Sequence, residues 1–460
     1  MGIFDTLTTA VSGLQAQAFA LQNISGNIAN SQTTGYKETG TSFEDLVSAS
    51  SSLADQAAGN VLANSFATNN VQGSIQTTSV STDMAINGDG FFVVAQPTSV
   101  SDNNPVFTGA DLYTRRGDFQ QDQNGYLVNG AGDYLMGVPL DPTTGNPIGS
   151  VPQVLQFGNN VSPAVATTQI DYAANLPSLP QTADYSSTTP QSELLDPTKF
   201  STNPLIAGSG TVVGSDVSTF LNQSVSGGSV TAYDSLGNPV NVQMRWAKVD
   251  SASQGGTHAD TWQLFYQADS NPTATSVAWQ NVGTAFTFGS NGQLNPAIPN
   301  LSLTKFTVNG DSLGTVNINF ASGGLTQFAN PSGAVTVNQI QQNGSPSGSL
   351  KSVSVNNQGR LVGSYSNGQT IALAQVSLAT FKGENYLQSE DGGAFAATPQ
   401  SGSALFSASG SIVGSSLESS NVDIATQFSQ LIVAQQAYSA NAKVMTTANQ
   451  MIQSLLTSIQ

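Results

Sequence analysis

The chain has 460 residues and a formal net charge of −17, with 11 Lys and Arg against 28 Asp and Glu, and no cysteine. So few cations exclude phosphate-backbone binding, and with it nucleic acid as a partner; the missing cysteines exclude disulfides, thiolate chemistry and Cys-ligated metals. Charged residues make up only 8%, while 21 Phe, 11 Tyr and regular Val/Ile alternation exclude global disorder and point to several small β cores.

Met1 to Asp5 carries no basic n-region, apolar h-region or small-residue cleavage site, so no Sec signal peptide is expected. A run of about 18 apolar residues is also missing, so no membrane insertion is expected. Phe4, Leu7, Val11, Leu14, Ala18, Leu21, Ser25 and Ile28 step by three and four residues alternately. This spacing predicts a helix over about residues 4–30 with one narrow apolar seam, and Gly35 ends the pattern. From Ser31 to about Asn70 no period is found, which predicts a linker or an extended, partner-dependent segment.

Residues 72–165 change character. Glycines punctuate runs such as Phe91–Val94 and Tyr126–Val128, and Asn124-Gly125 and Asn129-Gly130 signal tight turns between short strands. A Pro-rich entry at Pro177, Pro180, Pro190, Pro197 and Pro204 opens a long insertion over 166–342, with strands expected at Ser229–Tyr233, Val240–Trp246 and Thr261–Tyr266. Short strands resume at Val353–Val355, Leu361–Tyr365 and Ile371–Val376.

The last forty residues repeat an apolar residue every seventh position: Ile424, Leu431, Tyr438, Met445, Ile452 and Ile459. A weaker second row follows at Phe428, Gln435, Ala442, Asn449 and Leu456. Ser420 or Asn421 is the expected N-cap, with Asp423 in the first turn. A strict heptad on a 3.6-residue helix drifts about 20° per repeat and favours supercoiling against another helix. The N-terminal seam is the intramolecular candidate.

The predicted fold class is multidomain α+β. N- and C-terminal helices form a coiled-coil-like axial domain (1–71 plus 412–460), enclosing two nested all-β domains: a discontinuous one (72–165 plus 343–411) and an inserted outer one (166–342).

No residue pattern supports catalysis. His258 is the lone histidine, in the polar loop Gly255–Asp260. Gly88-x-Gly90 lacks the third glycine and the βαβ context of a dinucleotide fingerprint. Asp122-Gln123-Asn124-Gly125 is followed by Tyr126 where a calcium loop needs an oxygen ligand. Arg116-Gly117-Asp118 reads as structural, and nothing singles out two carboxylates for glycoside hydrolysis. The expectation is a non-enzyme without cofactor or metal.

Asn23-Ile24-Ser25-Gly26-Asn27-Ile28-Ala29-Asn30 through Gly35-Tyr36-Lys37 resembles the N-terminal motif of bacterial flagellar rod and hook axial proteins. Asn421-Val422-Asp423 with Ile432–Lys443 is similar to their C-terminal motif. The matching motif positions are Asn27, Asn30, Gly35, Tyr36, Asn421, Asp423, Gln435 and Asn441. Asn87–Phe92, Tyr113–Phe119 and Asn124–Val128 resemble stretches common to rod and hook members. Tyr233–Pro239, Gly324–Phe328 and Tyr365–Gly368 are similar to hook members of the family.

The resemblance implies a structural subunit that polymerises helically into a curved, flexible tube, a universal joint carrying motor torque to the filament. Phe4, Leu7, Val11, Leu14, Ala18, Leu21 and Ile28 would pack subunits from the N-terminal helix. Ile424, Phe428, Leu431, Tyr438, Met445, Ile452, Leu456 and Ile459 would do so from the C-terminal one. It also implies contacts with distal rod, hook cap and hook–filament junction proteins. Export would run through the flagellar type III apparatus, without a Sec signal, to an extracellular position in the hook and basal body. Phe43 and Val47 resemble an export-gate recognition pattern, the alternative being a core-packing island. Two other readings stay open: a rod subunit forming a rigid shaft, and a secreted β-rich adhesin or carbohydrate-binding protein.

Overall fold

The computed structural model describes residues 3–459 except 47–59, 103, 108, 159–160, 207–209, 322 and 407–409. Helices stand at both ends of the chain, with many β-strands in between. The chain divides into two compact units: Met1–Asn160 with Leu350–Tyr365 and Thr370–Gln460, and Val161–Ser349 with Ser366–Gln369.

In the first unit, helix α1 (Ile3–Ala29) precedes strands β1 (Thr39–Leu46) and β2 (Asn60–Ala67), which pair antiparallel from Thr39↔Ala67 to Leu46↔Asn60. The segment read as a linker or as an extended, partner-dependent stretch thus holds, in its described residues, an extended two-stranded ribbon. It escapes pattern reading because its inward face is polar: Asn23 of α1 donates from Nδ2 to Thr41 Oγ1 and Ser65 Oγ, each at 2.9 Å. Apolar Leu62 and Phe66 stay about half exposed, so the usual alternation of core and solvent faces never forms.

The core of this unit is built on Phe91–Ala95, buried along its whole length. Leu112–Thr114, Tyr134–Pro139 and Leu378–Ala379 pair with it antiparallel. Phe92 and Val94 pack with Met84, Phe119, Leu135 and Leu361, while Phe91 and Val93 pack with Tyr113, Phe381 and Phe395. Burial on both faces explains a continuous apolar run where a one-sided strand would alternate. Tyr134–Pro139 also pairs with Thr370–Val376, which pairs with Arg360–Tyr365.

The second unit stacks two five-stranded sheets. One runs in the order Thr211–Val213, Val277–Thr287, Thr261–Gln267, Pro239–Asp250, Val225–Tyr233. The other is centred on Gln169–Pro177, parallel to Asp311–Asn319 and Leu325–Phe328 and antiparallel to Thr336–Gln342. Tyr172, Trp246, Trp262, Phe286, Phe306 and Phe320 fill the space between them. Tyr172 donates its hydroxyl to Gly227 O at 2.8 Å and accepts from Trp246 Nε1 at 2.9 Å, so this polar pair is satisfied inside the core. A short helix α2 (Val217–Asn222) seats Phe220 against Phe265 and Trp279 on the opposite face. Helix α3 (Ile424–Ile459) closes the chain, in the first unit.

Candidate functional site

Helices α1 and α3 pack together, but not along the rows that heptad reading selects. The buried positions of α1 are Ala10, Gly13, Ala16, Ala20, Ile24 and Asn27, and those of α3 are Gln427, Ala434 and Ala448, with Asn441 half buried on the same seven-residue row. Of the expected N-terminal seam, Leu7, Leu14, Leu21 and Ile28 are half buried, whereas Phe4 is 74% exposed and Val11, Ala18 and Ser25 are exposed. Of the expected C-terminal row, Leu431, Met445 and Ile452 are half buried, and Ile424 and Tyr438 are exposed. Ile459 lies in the helix, its side chain outside the described residues. The expected second row is the larger departure: Phe428, Gln435, Asn449 and Leu456 are exposed and Ala442 half buried.

The physical reason is size. Alanine and glycine let two helix axes approach closely, so the small-residue row goes inside and the bulky row is displaced to the flank. A Cβ built on Gly13 would stand 2.7 Å from Asn441 Nδ2, so glycine is what admits the Asn441 side chain. Beside this pair, α1, the ribbon and α3 enclose a groove of about 470 Å³ lined by Ala20, Ile24, Phe43, Phe66, Val433 and Ala434. Phe43 is 46% exposed at its rim; Val47 lies outside the described residues.

Four motif residues, Asn27, Asn30, Gly35 and Tyr36, build the turn that follows α1, and Asn421 reaches it from the entry of α3. Buried Asn27 accepts from Tyr36 Oη (3.2 Å) and Thr39 N (3.0 Å), and donates to Thr39 O (3.0 Å) and to Gln427 Oε1 of α3 (3.1 Å). Gln427 in turn donates to Glu38 Oε1 at 2.8 Å. Asn30 caps the end of α1 through Gly26 O. Gly35 has φ +69°, and a Cβ there would meet Arg116 N at 2.7 Å, so conformation and space both require glycine.

Asn421 is not the cap of α3. It ties the helix entry to the first unit's other segments, accepting from Glu38 N at 2.7 Å and donating to Thr68 Oγ1 and Val71 O. The cap is Asp423, whose Oδ1 accepts from Thr426 N at 2.7 Å. That hydrogen bond, with a second from the Thr426 side chain, holds the Asp423 carboxyl below its ordinary range.

Sequence reading missed a buried charge cluster just before α3. Glu418, wholly enclosed, accepts from Lys37 Nζ at 2.6 Å, Gly73 N at 2.8 Å and Arg115 Nη1 at 3.2 Å. Its backbone carbonyl accepts from Gly35 N at 2.8 Å. Burial pushes the Lys37 ammonium below its ordinary value. A lone acidic residue in Ser-Leu-Glu-Ser-Ser gives no sign of burial; Lys37 and Arg115, both inside motif stretches, were the available clue.

The remaining candidates are structural. His258 is half exposed, with Nδ1 2.8 Å from Asp250 Oδ1. Asp122 Oδ1 accepts from Asn124 N and Tyr126 N, closing a turn that leads to Gly125 at φ +87°. Arg116 pairs with Asp118 at 2.8 Å. Among the described residues no three His, Asp or Glu side chains group to hold a metal, and no helix is long and apolar enough to cross a membrane.

Four family models match the chain. They are Flagella basal body rod protein (7–37), Flagellar hook protein FlgE/F/G D1 domain (85–172), Flagellar basal body protein FlaE D2 domain (219–345) and Flagellar basal body rod FlgEFG protein C-terminal (413–458). The flagellar hook protein FlgE of Salmonella typhimurium is 31% identical over 457 residues, 98% of this chain and 99% of that one. That of Brucella suis is 30% identical over 464 residues, 99% of each. Among solved structures, the flagellar hook protein FlgE2 of Helicobacter pylori matches 75% of this chain and all of that chain at 14% identity, with a TM-score of 0.47.

Proposed function

The chain belongs to the flagellar hook protein family and is a structural subunit of the bacterial flagellar hook, and from that premise we propose how its residues build the tube. Copies polymerise helically into a curved, flexible tube that acts as a universal joint between motor and filament. The two terminal helices form a coiled-coil-like axial domain lining the tube, and nested β domains (72–165 plus 343–411, and 166–342) form the shells around it.

One observation carries this reading. The helix pair is closed inside the chain largely by small and polar residues, which leaves bulky apolar side chains exposed: Phe4 and Val11 on α1, and Phe428, Ile432 and Leu456 on α3. Full burial of one such side chain contributes about 1.5–3 kcal/mol, so several of them suit contact with neighbouring copies. The β shells contribute differently. Charged residues are only 8% of the chain, and neutral polar surfaces offer many near-equivalent hydrogen bonds that let neighbours change spacing as the tube bends. Disulfides engineered between the outer shells of adjacent subunits would stiffen the tube; unimpaired bending would refute this part.

Further partners in this reading are the distal rod, hook cap and hook–filament junction proteins. The chain reaches the outside of the cell through the flagellar type III export apparatus, with Phe43 and Val47 as the gate-recognition pair. Catalysis has no part in it. The rod-subunit alternative would give a straight, stiff shaft. The relatives matched over nearly the whole of both chains are hook proteins, and they favour the hook. Electron microscopy of assembled chains decides the matter: curved tubes support the reading, and straight rods overturn it.

A further inference from the structure

Glu418 touches more of the first unit than any ordinary ion pair requires. Its carboxylate holds Lys37, eight residues beyond the end of α1, and Arg115, next to the core strand Leu112–Thr114. The same oxygen that meets Lys37 accepts from Gly73 N, just before Ile75–Thr77, the strand that pairs with Ser416–Glu418. Lys37 Nζ also donates to Val71 O at 2.7 Å, and Arg115 Nη2 to Gly88 O at 2.9 Å. The exit of α1, the exit of the ribbon, the β core and the entry to α3 thus meet on one side chain.

The cluster is unbalanced: two cations against one anion, each side chain no more than 2% exposed. Arg115 Nε is buried with no hydrogen-bond partner, and the guanidinium lies 5.3 Å above the Phe91 ring. The repulsion of Lys37 by Arg115 is opposed only by carboxylates. Glu384 is close enough to act electrostatically on both cations but makes no ion pair with either among the described residues, and burial lifts its carboxyl above the ordinary range. It is poorly suited to replace Glu418. If Ser416–Glu418 leaves the sheet, two enclosed cations face each other without their anion, a state that low-dielectric surroundings strongly disfavour.

We propose that Glu418 is a latch that makes the anchoring of the segment after α1 and of the segment before α3 to the β core one all-or-none event, so that neither helix is fixed alone. Lys37 brings the α1 side, the strand Ser416–Glu418 brings the α3 side, and Arg115 is the fixed post on the β core. The latch is a property of the chain itself and stands apart from the hook reading.

The test is amide hydrogen exchange on the full-length chain, read in whichever state, free or assembled, the wild-type α1 is protected. Glu418→Gln accelerates exchange in residues 10–24 of α1 and 434–448 of α3 together, on the order of a hundredfold, although none of these residues touches Glu418. Amides of the buried core strand Phe91–Ala95 in the first unit keep their wild-type protection, and the emission of Trp246, Trp262 and Trp279 in the second unit stays at the wild-type position, which together separate unlatching from unfolding of either unit. Adding Lys37→Met to Glu418→Gln restores part of the protection, because it removes one of the stranded cations. Acceleration confined to residues 71–77 and 416–418, acceleration of one helix without the other, or a double variant as fast as or faster than Glu418→Gln would each overturn the latch. Failure of the wild-type chain to form curved tubes would refute the hook reading and leave the latch standing or falling on exchange alone.

Discussion

Gly13 of α1 faces Asn441 of α3 so closely that a methyl group on Gly13 would stand 2.7 Å from the Asn441 amide nitrogen. The contact lies on the small-residue row that joins the helices within one chain. Gly13→Leu inserts a side chain that the Asn441 amide must move aside to admit. Overpacking of this kind costs about 1–3 kcal/mol. The expected result is a loss of helical dichroism at a lower temperature than in the wild type, with tryptophan emission of the second unit unchanged. An identical helical melt would show that the close approach is not needed.

Asn27 makes four hydrogen bonds, and its substitution strands several partners at once. Asn27→Ala leaves Gln427 Oε1 without its donor and removes both bonds to the Thr39 backbone. An unsatisfied buried polar group costs about 1–3 kcal/mol. Denaturant unfolding followed at the helical band should shift to lower midpoint by an amount in that range. Asn27→Asp keeps the acceptor for Thr39 N and Tyr36 Oη but loses the donors to Thr39 O and Gln427 Oε1 and buries a charge, so its midpoint should fall at least as far.

The cap of α3 is pH-sensitive in a defined direction. Hydrogen bonds from Thr426 favour the Asp423 carboxylate in the folded chain and depress its pKa. The cap's contribution is therefore fully present above the unfolded aspartate value of about 3.9 and is lost as pH falls through the lower folded value. Acidification through this window should fray the first turn of α3, read from the Thr426 amide resonance. Asp423→Asn keeps a side-chain acceptor without the charge, and the pH step should vanish.

The exposed row of α3 should matter for assembly and not for folding. Phe428→Asp with Ile432→Asp places two carboxylates on positions that are already about half exposed. Surface changes of this kind usually stay within about 0.5 kcal/mol. The variant should melt like the wild type and be secreted, yet form no tubes. Normal tubes from it would remove these residues from the subunit contact.

Much of this organisation is legible in the sequence, and the losses have identifiable causes. Both terminal helices follow from spacing, because an uninterrupted stretch with one apolar stripe has few alternatives. Which face closes within the chain is not legible from apolar size: Ala434 and Ala448 carry little hydrophobic weight, yet they are buried, as are Ala10, Gly13 and Ala20 of α1. The ribbon of β1 and β2 is hidden because its contacts to Asn23 are polar. Gly35 is readable as a turn but not as the residue over which Arg116 passes. Glu418 is invisible for a more general reason. Burial of a charge depends on partners 381 and 303 residues distant in the chain, and no local pattern records them.

The division of labour between the two helix rows is the centre of the account, and thiol labelling tests it most directly in a chain with no cysteine of its own. Single substitutions Phe428→Cys and Ala434→Cys are labelled with a maleimide before and after assembly. The account predicts that Cys at 428 reacts readily in the free chain and is protected in the tube, while Cys at 434 is protected in the tube and no more reactive than Cys at 428 in the free chain. Equal reactivity of Cys at 428 in free and assembled chains would contradict it.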